Sequence, residues 1–103
     1  MLTGVIVRGN SMHPALHDGD IVFVRTGVEK LKTGDVIVYR ESRQGFLVIH
    51  RIESMIEKRF ITRGDGNQDC DPISVTPEQI VGKVCFFIPW LRCLTKKIRE
   101  GGR

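Results

Sequence analysis

Gly19-Asp20-Ile21-Val22-Phe23-Val24 and Gly34-Asp35-Val36-Ile37-Val38-Tyr39 are one device written twice. In each, a glycine permits a turn and an aspartate can hydrogen-bond turn backbone before the chain extends. Each then continues into a short run of β-branched and aromatic residues, the types that suit a pleated, half-buried surface. Runs of the same kind occupy residues 4–7, 46–52, 59–62 and 80–87, separated by Gly-containing or polar breaks. The polar stretch Glu41-Ser42-Arg43-Gln44-Gly45 reads as a hairpin loop, and residues 54–58 as a second, weaker one. The expectation is a mainly β fold, a single domain of short twisted strands across residues 1–103, with no internal repeat.

Composition agrees and excludes several functions. A chain of 103 residues has room for one compact domain and little more. Hydrophobic residues make up 41%, which argues against wholesale disorder. The net charge of +4 is too mild, and the basic residues too scattered, to argue for nucleic acid. No apolar stretch approaches the roughly 18 residues that cross a bilayer, and the start Met1-Leu2-Thr3-Gly4 lacks a leader's basic and apolar regions. A soluble or surface-associated protein is expected. Cys70, Cys85 and Cys93 form no C-x-x-C pair and do not cluster with His13, His17 or His50, so reduced thiols are favoured over a disulfide or structural zinc. After Pro89, Leu91, Leu94 and Ile98 can share one face of a short helix with Arg92, Lys96, Lys97 and Arg99 around it. That face either packs on the β core or, with Trp90, makes peripheral membrane contact.

Three segments can carry chemistry. In Gly9-Asn10-Ser11-Met12-His13-Pro14, a serine sits in a tight turn, whose backbone N–H groups can face an oxyanion. On its own, such a serine is more often a turn or cap residue. In the run 46–52, alternation puts Val48, His50 and Ile52 on one face and Leu47, Ile49 and Arg51 on the other. His50 thus points with apolar neighbours, either as a structural histidine at a sheet rim or as a general base, since an imidazole is mostly neutral at pH 7. Lastly, Thr62-Arg63-Gly64-Asp65-Gly66-Asn67-Gln68-Asp69-Cys70-Asp71-Pro72 gathers three carboxylates in a Gly-containing loop. It resembles a calcium loop superficially, but the glycine position and terminal glutamate are wrong. No metal and no cofactor is expected. A carboxylate that orients a histidine is the better use of this loop.

Taken in order, Ser11-Met12-His13-Pro14, Gly19-Asp20-Ile21-Val22, Gly34-Asp35-Val36-Ile37, His50-Arg51-Ile52, Thr62-Arg63-Gly64-Asp65 through Asp71, and Val81-Gly82-Lys83-Val84 resemble the signal peptidase I/LexA-like superfamily of serine peptidases (S24/S26). Because the base position holds His50 and no lysine lies on that strand, the resemblance is to the histidine-containing endoplasmic-reticulum/archaeal-type signal peptidases. It implies Ser11 as nucleophile, His50 as base and Asp71 as the orienting carboxylate. Asp65 matches the loop's first aspartate and is expected to shape the site, with a catalytic role as fallback. Met12 falls in the substrate-binding part of the motif. The Ser11 backbone N–H, assisted by Asn10, would serve the oxyanion.

Three departures from the family pattern stand out. Gly9 replaces a hydroxyl residue that helps the oxyanion in many relatives, and Asn10 replaces the usual glycine. Only ten residues precede Ser11, so the family's N-terminal membrane anchor is expected to be missing. The expected function is a serine endopeptidase that trims a leader or signal-like segment from a peptide or protein precursor, soluble or peripheral to a membrane. A LexA-like self-cleaving protease and a non-catalytic peptide-binding β domain remain as alternatives.

Overall fold

Each apolar run becomes a strand in the computed structural model, which describes residues 1–27 and 30–89. The strands are β1 (Leu2–Ile6), β2 (Ile21–Arg25), β3 (Val36–Arg40), β4 (Leu47–Ile56), β5 (Arg59–Arg63) and β6 (Ile80–Ile88). They form one antiparallel sheet in the order β1-β2-β6-β3-β4-β5, so the fold is mainly β. Its only other regular element among the described residues is a single 3-10 turn, Pro77–Gln79. The helix and membrane-contacting tail expected after Pro89, together with Cys93, lie outside the described residues.

The repeated Gly-Asp device works the same way both times. Gly19 and Gly34 adopt φ of 89° and 96°, a region that costs a glycine little. The carboxylate of Asp20 accepts the His17 N–H at 2.9 Å, and that of Asp35 accepts the Lys32 N–H at 2.9 Å. Each aspartate therefore closes its turn by reaching back three residues, and both side chains are buried by the strands they launch. Lys83 of β6 lies 3.3 Å from the other oxygen of Asp35, which ties the second turn to the middle of the sheet.

Both hairpins form, with different precision. Residues 41–46 turn between β3 and β4, with the Glu41 N–H on the Phe46 carbonyl at 2.9 Å. The Glu41 side chain also accepts the backbone N–H groups of Arg43 and Gln44. The second turn is tighter than the sequence predicts, because β4 runs on to Ile56 and leaves only Glu57 and Lys58 between the strands. The extension passes through a bulge, since Ile52 pairs with Thr62 but Ser54 with Ile61. A bulge sharpens the local twist and bends the strand, and it hides the strand's continuation from a simple alternation pattern.

The apolar side chains divide by strand parity into two clusters. Val38 joins Val7, Met12, Leu16, Val22 and Val24 in one, whereas its neighbours Ile37 and Tyr39 join Ile52 and Val75 in the other. Successive strand residues face opposite sides, so the sheet is covered on both. At roughly 1.5–3 kcal/mol for each fully buried Val, Ile or Met side chain, these clusters anchor the turns that carry the polar residues. Met12 is 1% exposed, which fixes the serine beside it.

Candidate active site

Ser11 is set by its neighbours on both sides. Gly9 has φ of 84° and its N–H is held by Asp18 Oδ1 at 2.7 Å. Beyond the serine, Met12 sinks into the core and Leu16 N–H closes on its carbonyl at 2.9 Å. The intervening turn includes a cis His13–Pro14 bond. Asn10 is exposed, and its carbonyl accepts the His13 N–H at 3.1 Å.

His50 lies on β4 opposite Ile37, on the face it shares with Val48 and Ile52. It is 8% exposed. Its Nε2 is 3.2 Å from the Ser11 hydroxyl, and its Nδ1 is 2.5 Å from Asp71 Oδ2. An ionised carboxylate only accepts, so the proton resides on Nδ1 and Nε2 presents its lone pair to the serine. Ser11, His50 and Asp71 thus form one continuous hydrogen-bonded chain drawn from three distant parts of the sequence.

The loop 64–71 is pinned to the serine turn and to β5. Gly66 N–H donates to the Ser11 carbonyl at 2.8 Å, and Asp71 N–H donates to the Thr62 carbonyl at 2.7 Å. Gly64 is buried where no side chain fits, because a Cβ there would overlap the Ser11 carbonyl oxygen and stand 3.0 Å from His50 Nε2. That crowding is why the loop opens with a glycine.

Asp65 has a different occupation. Arg51 grips both its oxygens, Nε to Oδ1 at 2.8 Å and Nη2 to Oδ2 at 2.7 Å, and reaches the Gly34 carbonyl with Nη1 at 2.8 Å. The Arg51 hydrogen bonds pull the Asp65 carboxyl below its ordinary pKa, against the opposing effect of burial. Asp65 therefore fastens the loop to β4, and its N–H rests on the Met12 sulfur at 3.4 Å. Asp69 is exposed. Among the described residues no group of three or more His, Cys, Asp or Glu side chains converges as a metal site would. Cys70 and Cys85 are free and exposed.

Three contributors escape a reading of the sequence: Arg51, Thr62 and Tyr39. Thr62 Oγ1 donates to Asp71 Oδ2 at 2.6 Å, and the Tyr39 hydroxyl lies 3.3 Å from the same oxygen. Arg51 and Thr62 fall inside segments that carry the family resemblance, but nothing there gives them a role, and Tyr39 reads as an ordinary strand residue. Only the register, which sets Thr62 opposite Ile52 and Tyr39 opposite Val48, brings them to the carboxylate.

Beside Ser11 opens a cleft of about 570 Å³, walled by residues 5–8 on one side and 46–50 on the other, with Ser11 and Met12 between them. Met12 thus contributes to the cleft while being almost wholly buried. Val5 and Ile6 of one wall belong to β1, and residues 47–50 of the other belong to β4. β1 is an edge strand, and β5 pairs with Arg51–Ile56 of β4, so among the described residues no strand pairs with 47–50 on that side.

Known proteins resemble this chain along most of its length. A family model described as Peptidase S24-like matches residues 2–85. The signal peptidase complex catalytic subunit SEC11 of Lachancea thermotolerans is 33% identical over 110 residues, covering 93% of this chain and 66% of its own length. SEC11 of Colletotrichum graminicola is 28% identical, covering 93% and 63%. Human SEC11C, also a signal peptidase complex catalytic subunit, is 27% identical, covering 88% and 54%. The chain therefore spans between about half and two thirds of the length of these curated relatives. Among the described residues no helix is long and apolar enough to cross a membrane.

Proposed function

The chain belongs to the Peptidase S24-like family, and we propose that within it this protein is a serine endopeptidase that removes a leader or signal-like segment from a peptide or protein precursor. The observation that carries this reading is the chain of contacts from Ser11 Oγ through His50 to Asp71. His50 Nε2 takes the serine proton as Oγ attacks the scissile carbonyl. Asp71 steadies the imidazolium that results. The tetrahedral oxyanion is met by the Ser11 backbone N–H, with Asn10 as the adjacent polar group. His50 then gives its proton to the leaving amine, and water resolves the acyl-enzyme by the same base. Gly9 adds no side-chain donor here, and one missing oxyanion donor costs roughly 10²–10³ in rate. A slow enzyme dedicated to few precursors fits that deficit.

The cleft supports a peptide substrate in extended form. Two facing strand edges offer hydrogen bonds to both sides of an inserted strand, and alternate side chains select among sequences. The relatives' role as catalytic subunit of a signal peptidase complex supports a precursor as substrate and other subunits as partners, and hence work at a membrane. A non-catalytic peptide-binding domain would use the same two edges, and Gly9 is the feature that favours it. Ser11→Ala separates the two readings: it abolishes cleavage of a signal-bearing precursor by an enzyme and leaves a binder's affinity intact. Precursor cleavage by the serine variant at the wild-type rate overturns the proposal.

A further inference from the structure

Asp71 Oδ2 is the most heavily used acceptor in the site. It takes His50 Nδ1 at 2.5 Å, Thr62 Oγ1 at 2.6 Å and the Tyr39 hydroxyl at 3.3 Å. Thr62 is fully buried, where a hydroxyl without a partner is costly, and it directs its hydrogen to this oxygen. Tyr39 touches both ends of the pair. Its ring lies edge-on to the His50 ring with centroids 6.5 Å apart and planes at 72°, while its hydroxyl approaches Asp71 and, at 3.4 Å, Thr62. Such a diagonal reach across neighbouring strands is what a long aromatic side chain can span.

We infer that Thr62 and Tyr39 are positioning residues, which together fix the Asp71 carboxylate against Nδ1 of His50 and so hold the imidazole in line with Ser11. The inference rests on the proposed serine-peptidase reading. Asp71 sits in a loop between Gly64 and Pro72, half-buried, and a loop carboxylate left to itself samples several rotamers. Two hydroxyls carried by the sheet, on β5 and β3, remove that freedom. The fold thereby transfers the rigidity of its second apolar cluster, of which Tyr39 is a member, to the reacting groups.

The test uses the full chain and two readouts. With a signal-bearing precursor, Thr62→Val lowers kcat about tenfold to a hundredfold, the cost of a small misplacement of reacting groups, with KM within about twofold. Thr62→Ser, which keeps the hydroxyl, restores kcat. Independently of any turnover, the His50 Nδ1 proton gives a far-downfield NMR resonance that moves upfield and broadens in Thr62→Val but stays in place in Thr62→Ser. Wild-type kcat with an unmoved resonance in Thr62→Val overturns the inference. Should Thr62→Val fail to fold, Tyr39→Phe carries the test, and an unmoved resonance in that variant overturns it. Absence of cleavage by the wild-type chain contradicts the peptidase reading instead, while the resonance still judges the positioning.

Discussion

His50 Nδ1 stands 2.5 Å from Asp71 Oδ2, across 21 residues of sequence, and this contact decides which imidazole nitrogen carries the proton. Replacing the carboxylate by an amide lets a donor face Nδ1 and favours the wrong tautomer. Asp71→Asn is expected to lower kcat by about 10³–10⁴ with the fold intact. Steady-state cleavage of a precursor, paired with thermal unfolding of the same sample, checks this.

Gly64 supplies a steric counterpart. A methyl group there overlaps the Ser11 carbonyl oxygen, so serine and loop must part. Gly64→Ala is expected to cost about 10² in kcat, since displacements near 1 Å carry penalties of that size. Gly45, whose Cβ would meet nothing within 4 Å and which lies in the β3–β4 turn, offers a control for generic glycine replacement; at its φ of 75°, Gly45→Asn is the mildest change. Its cleavage rate is expected to match wild type.

Much of the fold is legible along the chain because its signals are local. Gly19-Asp20 and Gly34-Asp35 announce the strands they precede, and the alternation around His50 places it on the face with Val48 and Ile52. The β4 bulge is not legible, since nothing in Ile52-Glu53-Ser54 distinguishes a bulged strand from its end. The site divides the same way. Ser11 and His50 stand out by their neighbours, while the choice of Asp71 over Asp65 rests on family resemblance. In the structure Arg51 occupies Asp65, while Asp71 is the carboxylate beside His50. Thr62 and Tyr39 acquire their roles only through strand register, a non-local property that no short window contains.

The Arg51–Asp65 pair makes a prediction about acid. Arg51 hydrogen bonds hold the folded Asp65 carboxyl below its ordinary 3.8. The pair's contribution is therefore complete above the unfolded value and is lost as pH falls through the lower, folded one. Hydrogen bonds to charged groups are worth roughly 1.5–3 kcal/mol, and the one-third exposure of Arg51 reduces this to about 1 kcal/mol. Unfolding free energies of wild type and Asp65→Asn should differ by that amount at neutral pH and converge as pH falls below 3.8 through the lower, folded value. A constant difference across that range contradicts the assignment.

Tyr39 is the chain's single tyrosine, so its titration can be read directly from phenolate absorbance. Burial first, and the negative charge of Asp71 in addition, push it from 10.0 up to about 12. The folded midpoint should lie near 12 and the denatured midpoint near 10. A raised folded value means stability that is full below the unfolded midpoint and is lost as pH climbs through the folded one. Tyr39→Phe removes this part of the alkaline loss; a folded midpoint at the denatured value rules out the buried hydroxyl network.

Whether Ser11 is a nucleophile activated by His50 is decided by intact-mass analysis after treatment with an active-site-directed phosphonate. One adduct per chain is expected, mapped to Ser11, and lost in His50→Ala. Labelling at another residue, or labelling of Ser11 at the same rate in His50→Ala, refutes that activation.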